Sequence, residues 1–193
     1  AQLPNCPWCG KPIRPGVDIV VEKYGSGRAR TFQFCSDPLG QCPFSRRQSP
    51  DEGVPIVVVD EEVYRRLPTL LIATVDKFAQ MPWKGAAQML FGRVTGKCPR
   101  HGFRSPEIED ADRHNKKSGL PSVQTIPYSQ RLRPPDLIIQ DELHLISGPL
   151  GTLVGLYETA VDALCSWEID GPKVSPKVLA SPTTNRRARE QVY

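Results

Sequence analysis

Apolar and polar residues follow two different periodicities in the second half of the chain. The segments "PIVVVD" (55–60) and "TLLIATVDKFAQM" (69–81) predict strands, and the second of them continues into a helix. The run "LII" (137–139) is typical of a strand that is covered on both faces. A further strand is predicted at "KVLASPTT" (177–184). This order of strands and helices predicts an α/β fold built around a parallel sheet.

Two helices are expected to accompany these strands. The first is "GTLVGLYETAVDALC" (151–165), where apolar residues recur at helical spacing and are expected to pack on the sheet: Leu153, Leu156, Ala160, Val161 and Leu164. The second begins at "NRRAREQV" (185–192), with Asn185 as its N-cap.

The rest of the chain lacks such periodicity. Residues from about 92 to 134 are polar and rich in Gly and Pro, which predicts a long loop insertion. The proline-bearing segment "SRRQSPDEGVP" (45–55) is typical of a linker. We therefore expect a small module over residues 1–50 and the α/β part over residues 51–193.

Four cysteines give the small module its chemistry. They form a C-x2-C pair and a C-x6-C pair separated by 25 residues: Cys6, Cys9, Cys35 and Cys42. Two such turns can complete the tetrahedral shell of a structural zinc ion, and Pro7 and Gly10 suit the first turn. Free thiols or disulfides are the alternative, which a cytosolic setting disfavours.

The residues between the two cysteine pairs predict how the turns are joined. In "VDIVVEKYGSGRARTFQF" (17–34), two β-prone runs flank "GSGRAR", as in the hairpin of a zinc ribbon. A module of this size has little core, so metal binding would supply most of its folding free energy.

A second, incomplete metal motif lies in "GKCPRHGF" (96–103). Cys98 and His101 have half-site spacing, and His114 is the nearest further ligand. A loop cysteine beside a surface histidine explains this pattern equally well. If a second zinc binds here, we expect its missing ligand to come from Cys165 or from residues outside the sequence.

Composition sets limits on the class of protein. The 193 residues carry a net charge of +4, which permits nucleic-acid binding without requiring it. No apolar stretch approaches the length of a membrane span, and the start lacks a signal-peptide layout, so we expect a cytoplasmic protein. The first residue is Ala1 and the last residues lie within a helical pattern, which predicts a fragment of a longer protein.

Polar residues cluster where the predicted strands end. In parallel α/β sheets, ligands bind beyond the carboxyl ends of the strands, the position expected for Thr74, Asp141, Glu142, Ser181 and Thr183. Two adjacent acids after a buried strand suit phosphate chemistry, where one holds Mg²⁺ and the other positions or deprotonates a water. Acids that merely begin the next helix are the alternative.

The order of these motifs resembles superfamily-two DExH helicases. "DELH" (141–144) matches the DExH motif, and "SPTT" (181–184) is similar to the downstream S-A-T motif, with Pro182 in place of the usual Ala. "ATVDKF" (73–78) occupies the place of an earlier motif that contacts nucleic acid. Residues 68–83, 134–158 and 185–192 look most like the helicase-like protein of the DISARM anti-phage system and its bacterial relatives.

This resemblance implies a role for each matching residue. Asp141 would coordinate Mg²⁺ on ATP, and Glu142 would polarise the hydrolytic water. His144, with Ser181 and Thr183, would couple the nucleotide site to strand binding. Thr74 and Lys77 would contact backbone phosphates, although an exposed helix lysine explains Lys77 equally well.

The resemblance also implies the fold and the partners, and it shows that one motif of the family is missing from the sequence. The fold would be the latter part of a first RecA-like domain, with nucleic acid, chiefly DNA, and subunits of a defence complex as partners. The phosphate-binding loop G-x4-G-K-[ST] does not occur in the sequence, so this chain alone should not hydrolyse ATP efficiently.

Two other functions remain open at this point. A non-catalytic module could use the zinc ribbon and the arginines of "SRR" and "NRRAR" to dock nucleic acid or protein. A metallo-hydrolase could ligate a catalytic metal directly through Asp141, Glu142 and His144, although adjacent acids rarely converge on one ion without further ligands.

Overall fold

The computed structural model describes residues 3–25, 28–108, 110–116, 119–142, 150–168 and 171–181. The chain divides into two compact units, Ala1–Val63 and Tyr64–Tyr193. The part of the chain that the structure describes contains no helix long and apolar enough to span a membrane.

The first unit is built around an antiparallel hairpin, as the sequence predicted. Strand β1 (Ile19–Gly25) pairs with strand β2 (Arg28–Gln33), in a register that places Val20 opposite Phe32. Phe32 and Phe34 are buried, with their rings parallel and 6.0 Å apart. The hairpin thus supplies the apolar layer on which the surrounding turns pack.

The segment after the hairpin corrects one prediction from the sequence. The run "PIVVVD" (55–60) does not form a strand. Within the described residues no strand pairs with it, and Pro55 cannot donate a ladder hydrogen bond. The chain turns instead, with the Ile56 N–H donating to the Val54 carbonyl at 2.7 Å, while Val58 and Val59 remain exposed.

Two contacts tie this segment to the hairpin. The Val54 N–H donates to the Gln33 carbonyl at 2.7 Å. Helix α1 (Asp60–Arg66) follows, and the Thr31 N–H donates to its Glu62 carboxylate at 2.7 Å. The helix has acids in its first turn and arginines in its last turn, which favours its dipole. The first unit therefore extends to Val63, beyond the linker that the sequence predicted.

The second unit contains the remaining helices and strands. They are β3 (Leu70–Thr74), α2 (Val75–Gln80), two 3-10 helices (Met81–Trp83 and Gly85–Phe91), β4 (Gly96–Cys98), β5 (Gly102–Arg104), β6 (Arg113–His114), β7 (Val123–Gln124), β8 (Ile126–Pro127), β9 (Leu137–Asp141), α3 (Leu150–Cys165), β10 (Trp167–Glu168), β11 (Lys173–Val174) and β12 (Lys177–Ser181).

A three-stranded parallel sheet forms the centre of the second unit. Strand β9 lies between β3 and β12, and both neighbours run parallel to it. The order of strands and helices predicted from the sequence is confirmed for these elements. The helix predicted at "NRRAREQV" lies outside the described residues.

The two faces of this sheet differ in burial. Ile138 and Gln140 of β9 are buried on one face, together with Leu71 of β3. On the other face, Ile72 is 60% exposed and Leu179 is 44% exposed. Within β9 itself, Ile138 is buried and Leu137 and Ile139 are half-buried, so the "LII" strand is fully covered on one face and partly covered on the other.

Helix α3 forms as predicted but uses a different face. Leu156 is 64% exposed and Ala160 is also exposed, so the expectation that they pack on the sheet is wrong. Val161, which was among the predicted residues, lines a small pocket with Tyr157, Phe78 of α2 and Gln140 of β9. The packed face of the helix therefore includes Tyr157 and Val161 and leaves out Leu156 and Ala160.

The polar segment from 92 to 134 is more ordered than its composition suggested. Strands β5, β4 and β8 form an antiparallel sheet in that order, and β6 pairs with β7. Among the described residues of 95–133, Cys98 is the one buried hydrophobic residue. The segment is therefore ordered with very little hydrophobic core of its own.

Candidate functional site

The first cysteine turn is a tight loop closed by backbone hydrogen bonds. The Gly10 N–H donates to the Cys6 carbonyl at 2.9 Å, and the Cys6 N–H donates to the Lys11 carbonyl at 2.7 Å. Gly10 has φ +73°, a left-handed conformation that glycine adopts at little cost. This geometry brings the sulfurs of Cys6 and Cys9 to the same side of the turn.

The second cysteine turn is longer and is organised by Asp37. Its carboxylate accepts hydrogen bonds from the backbone N–H groups of Gln41 at 2.7 Å and Cys42 at 2.9 Å. Lys11 donates to the same carboxylate and thereby joins the two turns. The hydrogen bond from Lys11 is the largest of the effects that hold the pKa of Asp37 well below its usual range.

The four sulfurs lie at distances that suit one metal ion. They are all within 4.8 Å of one another, with Cys6 Sγ 3.8 Å from Cys42 Sγ and Cys9 Sγ 3.4 Å from Cys35 Sγ. A regular tetrahedron with Zn–S bonds of about 2.3 Å has edges of about 3.8 Å. The predicted ligand set is thus brought together, and its four thiols fit a closed zinc shell.

Apolar side chains cover one side of this cluster. Cys6, Cys35 and Cys42 are buried and Phe44 packs against them. The Trp8 ring meets Phe44 edge to face at 6.3 Å between centroids. Three of the four thiols are therefore shielded from water, while Cys9 remains exposed.

The thiols of the cluster differ in acidity. Burial alone would raise the pKa of Cys6, but backbone hydrogen bonds from Cys9 and Trp8, with the neighbouring thiols, lower it to about 7. Burial raises the pKa of Cys35 and of Cys42. Metal binding draws protons from such thiols, since thiolates are the ligands.

The carboxyl edge of the parallel sheet brings together three of the strand-end residues. Thr74, Asp141 and Ser181 occupy one register level across β3, β9 and β12. Residues at one level of a parallel sheet point to the same face. Hydroxyl and carboxylate oxygens therefore converge at this edge, and oxygen is the donor that Mg²⁺ prefers.

Glu142, the next residue, has an unusual backbone. Its φ is +57°, a left-handed conformation that is rare for non-glycine residues, and its N–H donates to Asp141 Oδ1 at 2.9 Å. Such a conformation costs about 1 kcal/mol or more and is found preferentially at functional sites. The extended backbone of β9 thus ends at Asp141, and Glu142 adopts a left-handed conformation.

The other residues of the helicase-like motifs are an exposed lysine and two residues outside the described part of the chain. Lys77 is exposed on the short helix α2. His144 and Thr183 lie outside the described residues. The direct metal-ligand role considered for His144 with the two acids also stays a prediction.

The half-site at Cys98 and His101 is extended by two residues. Asp110 and His114 join them, and the four ligand atoms lie within 4.8 Å of one another. His114 was named from the sequence, whereas Asp110 was missed because no recognised motif spacing includes it. The spacing H-x8-D-x3-H was the only available signal.

Cys165 does not belong to this cluster, which corrects the expectation that it supplies the missing ligand. It is buried at the end of α3, and burial raises its pKa to about 11. Nearby, Arg131 donates to the carbonyls of Leu164 and Ser166 at the end of that helix. The local arrangement is that of a helix C-terminus held by an arginine.

A known protein resembles the chain over nearly all of its length. The chain is 37% identical over 196 residues to DISARM protein DrmA of Bacillus paralicheniformis, in a match that covers 99% of this chain. The chain is therefore a relative of a DISARM protein. It spans 16% of the length of that relative, and no protein-family model matches it.

Proposed function

We propose that the chain is part of an ATP-dependent nucleic-acid helicase or translocase that acts in phage defence. It would supply the acids for Mg–ATP hydrolysis and a structural zinc module. The RecA-like character of the sheet is part of this proposal. The similarity to a DISARM protein supports the defence role, and nucleic acid, chiefly DNA, with other subunits of a defence complex would be the partners.

The alignment of three strand ends carries the proposal. Thr74, Asp141 and Ser181 come from segments separated by 67 and 40 residues, yet they share one register level at the carboxyl edge of the sheet. This edge is where parallel α/β sheets bind ligands. The helicase-like order of the three motifs in the sequence requires such a convergence.

The two acids would have different tasks at this edge. Asp141 would hold Mg²⁺, which when bound neutralises the charge that develops on the phosphates. Glu142, with its left-handed backbone, would orient or deprotonate the attacking water. Thr183 and His144, with Ser181, would couple this chemistry to the nucleic-acid strand.

The chain would complete this site only in part. The phosphate-binding loop does not occur among the 193 residues, so the phosphate cradle would be supplied by other parts of the full-length protein. The four-cysteine cluster would be structural, because four protein thiolates fill the tetrahedral shell and leave no position for a substrate.

ATP hydrolysis by the full-length protein tests the proposal. Nucleic acid should stimulate turnover, and Glu142→Gln should lower it by about 100-fold or more while ATP binding is retained. Glu168→Gln, which changes an exposed acid on β10, is the matched control and should leave turnover unchanged. Unaltered turnover in Glu142→Gln would exclude the assigned role.

A docking module is a second candidate function, favoured by exposure at the cysteine turns. The side chains of Trp8 and Leu39 are 69% and 66% exposed, one on each turn. Large apolar side chains held outward by a rigid turn are suited to binding another macromolecule. Replacing both with Ala in the full-length protein should then weaken partner binding and leave basal ATP hydrolysis intact. Unchanged partner binding would dismiss this candidate.

A further inference from the structure

We propose that Cys98, His101, Asp110 and His114 form a second structural zinc site, which organises the polar segment from 92 to 134. The site is separate from the four-cysteine cluster and from the sheet edge, and it stands whether or not the chain belongs to an ATPase. Its ligand set mixes one sulfur, two ring nitrogens and one carboxylate, all of them donors that zinc accepts.

The distances between these donors match one tetrahedral ion. Cys98 Sγ lies 3.8 Å from His101 Nδ1, and His114 Nε2 lies 3.4 Å from Asp110 Oδ1. The other carboxylate oxygen, Asp110 Oδ2, is 3.0 Å from His101 Nδ1, which is a hydrogen-bond distance. With Zn–S bonds of about 2.3 Å and Zn–N or Zn–O bonds of about 2.1 Å, tetrahedral edges of about 3.4–3.6 Å are expected. The two imidazole rings meet edge to face at 81°, with their centroids 4.5 Å apart.

A repeated sequence pattern supports the assignment independently. The first turn of the four-cysteine cluster reads C-P-W-C-G, and the segment 98–102 reads C-P-R-H-G, with histidine in place of the second cysteine. Gly10 and Gly102 end the two turns and both have left-handed backbones, with φ of +73° and +93°. The second segment is thus built as the same kind of metal-binding turn.

The ligands lie on or beside short strands of the segment. Cys98 ends β4, His101 lies in the turn that leads to β5, and His114 lies on β6. Asp110 is positioned by the Arg104 guanidinium, which donates to its backbone carbonyl at 3.0 Å. These strands are two or three residues long, too short to be stable without a further link between them.

Arg100, within the metal-binding turn, provides such a link. Its guanidinium donates to the carbonyls of Asn115 at 3.2 Å and Pro121 at 2.7 Å. These contacts fasten the turn to both ends of the connection between β6 and β7. The Arg100 contacts fix the backbone of the segment, whereas a bound metal would fix the four ligand side chains.

The charges of the cluster also fit a divalent cation. The Cys98 thiolate and the Asp110 carboxylate would neutralise Zn²⁺ in a site where the Cys98 residue is 0% exposed and the Asp110 side chain 1% exposed. Arg65 Nη1 lies 3.2 Å from Asp110 Oδ2, the arrangement of an outer hydrogen-bond partner that orients a ligating carboxylate. Asp110 Oδ1, on the side of His114, would then face the metal.

Hydrogen bonding alone accounts less well for this cluster. Asp110 could accept from Arg65 and both histidines without a metal, but this leaves the buried Cys98 thiol in one long contact to an imidazole. It also gives no reason for the metal-type turn with its left-handed Gly102. A zinc ion uses all four side chains and supplies the folding free energy that a segment with little apolar core lacks.

Zinc content of the full chain tests the site. After gel filtration, the wild-type chain should carry two zinc ions, and Cys98→Ser and His114→Ala should each carry one. Cys165→Ser removes a buried cysteine outside both clusters and should retain two. Cys42→Ser should leave one ion, held by the second site. One zinc in the wild-type chain, or two in Cys98→Ser, would overturn the proposal.

Cobalt binding by the wild-type chain tests the second site without any variant, so the result does not depend on whether a variant folds. Wild-type chain should bind two equivalents of Co²⁺, and about one-fifth of the sulfur-to-cobalt charge-transfer absorption should come from the site with a single thiolate. The second equivalent should therefore add much less near-ultraviolet absorption than the first if the four-thiolate site fills first. Saturation at one equivalent, with the full four-thiolate spectrum, would refute a second site.

Discussion

The Cys42 backbone N–H donates a 2.9 Å hydrogen bond to the Asp37 carboxylate, which also accepts from the Gln41 N–H and from Lys11. Asp37 thus fixes the six-residue spacer of the second cysteine turn and links it to the first turn. A carboxylate that organises the backbone next to a metal ligand belongs to the outer shell of the site.

Removing this carboxylate should weaken zinc binding by the first cluster. We expect Asp37→Ala to lower zinc affinity about 10-fold or more, because outer-shell partners contribute about 10–100-fold to metal affinity. Competition with a chromogenic chelator measures the change. Asp51→Ala removes an exposed acid from the same unit and should have no effect. Equal affinities for Asp37→Ala and the wild type would show that the spacer needs no carboxylate.

Gly92 and Gly119 allow a prediction about the polar segment. Both have left-handed backbones, with φ of +75° and +83°, but a Cβ at Gly92 would lie 1.8 Å from the Leu132 carbonyl oxygen, whereas one at Gly119 meets nothing within 4 Å. Gly92→Ala should therefore destabilise the fold by about 3 kcal/mol or more, and Gly119→Ala by about 1–2 kcal/mol.

Denaturant unfolding of the two variants measures this difference. The shared positive φ makes Gly119→Ala the matched control, since it isolates the steric contact from the backbone strain. Similar losses of stability in both variants would mean that Leu132 does not approach Gly92 as closely as the structure places it.

The parts predicted well from the sequence depend on local patterns. The spacing of Cys6 and Cys9 specified a metal-binding turn, and the apolar run before Asp141 specified a strand with an acid at its end. Asp110 could not be found in this way. It reaches the second cluster through the pairing of short strands with little apolar content, and no sequence period reports such pairing.

Errors in the predicted elements have a common cause. The segment 55–60 has β-propensity but no partner strand within the described residues, and Leu156 lies on the apolar helical pattern but faces solvent. Whether a segment forms a strand and whether a helical residue is buried both depend on which elements pack beside it in the folded chain. Propensity and periodicity predict that an element forms more reliably than they predict its neighbours.

Cys165 should react slowly with alkylating reagents in the folded chain. Burial raises its pKa to about 11 from the ordinary value of 9.0, and only the thiolate reacts. Raising the pKa of a thiol from 9.0 to about 11 lowers its thiolate fraction at pH 8 about 100-fold. Because the folded pKa is the higher one, the labelling rate should keep rising with pH up to about 11, beyond the plateau of an exposed thiol.

Peptide mass spectrometry after timed iodoacetamide treatment follows this single cysteine. The same chain unfolded in guanidinium provides the reference rate, and Cys9, the exposed cysteine of the first cluster, provides a comparison in metal-free protein. Labelling of Cys165 at the same rate in folded and unfolded chain would contradict its burial at the end of α3.

Ile138 and Ile72 test which face of the parallel sheet is covered. They lie on adjacent strands and on opposite faces, with Ile138 1% exposed and Ile72 60% exposed. Ile138→Ala should cost about 2–4 kcal/mol of unfolding free energy because it removes buried methyl groups and leaves a cavity, while Ile72→Ala should cost less than about 1 kcal/mol. Chemical denaturation of the 193-residue chain measures both. Comparable losses would mean that Ile72 is also covered.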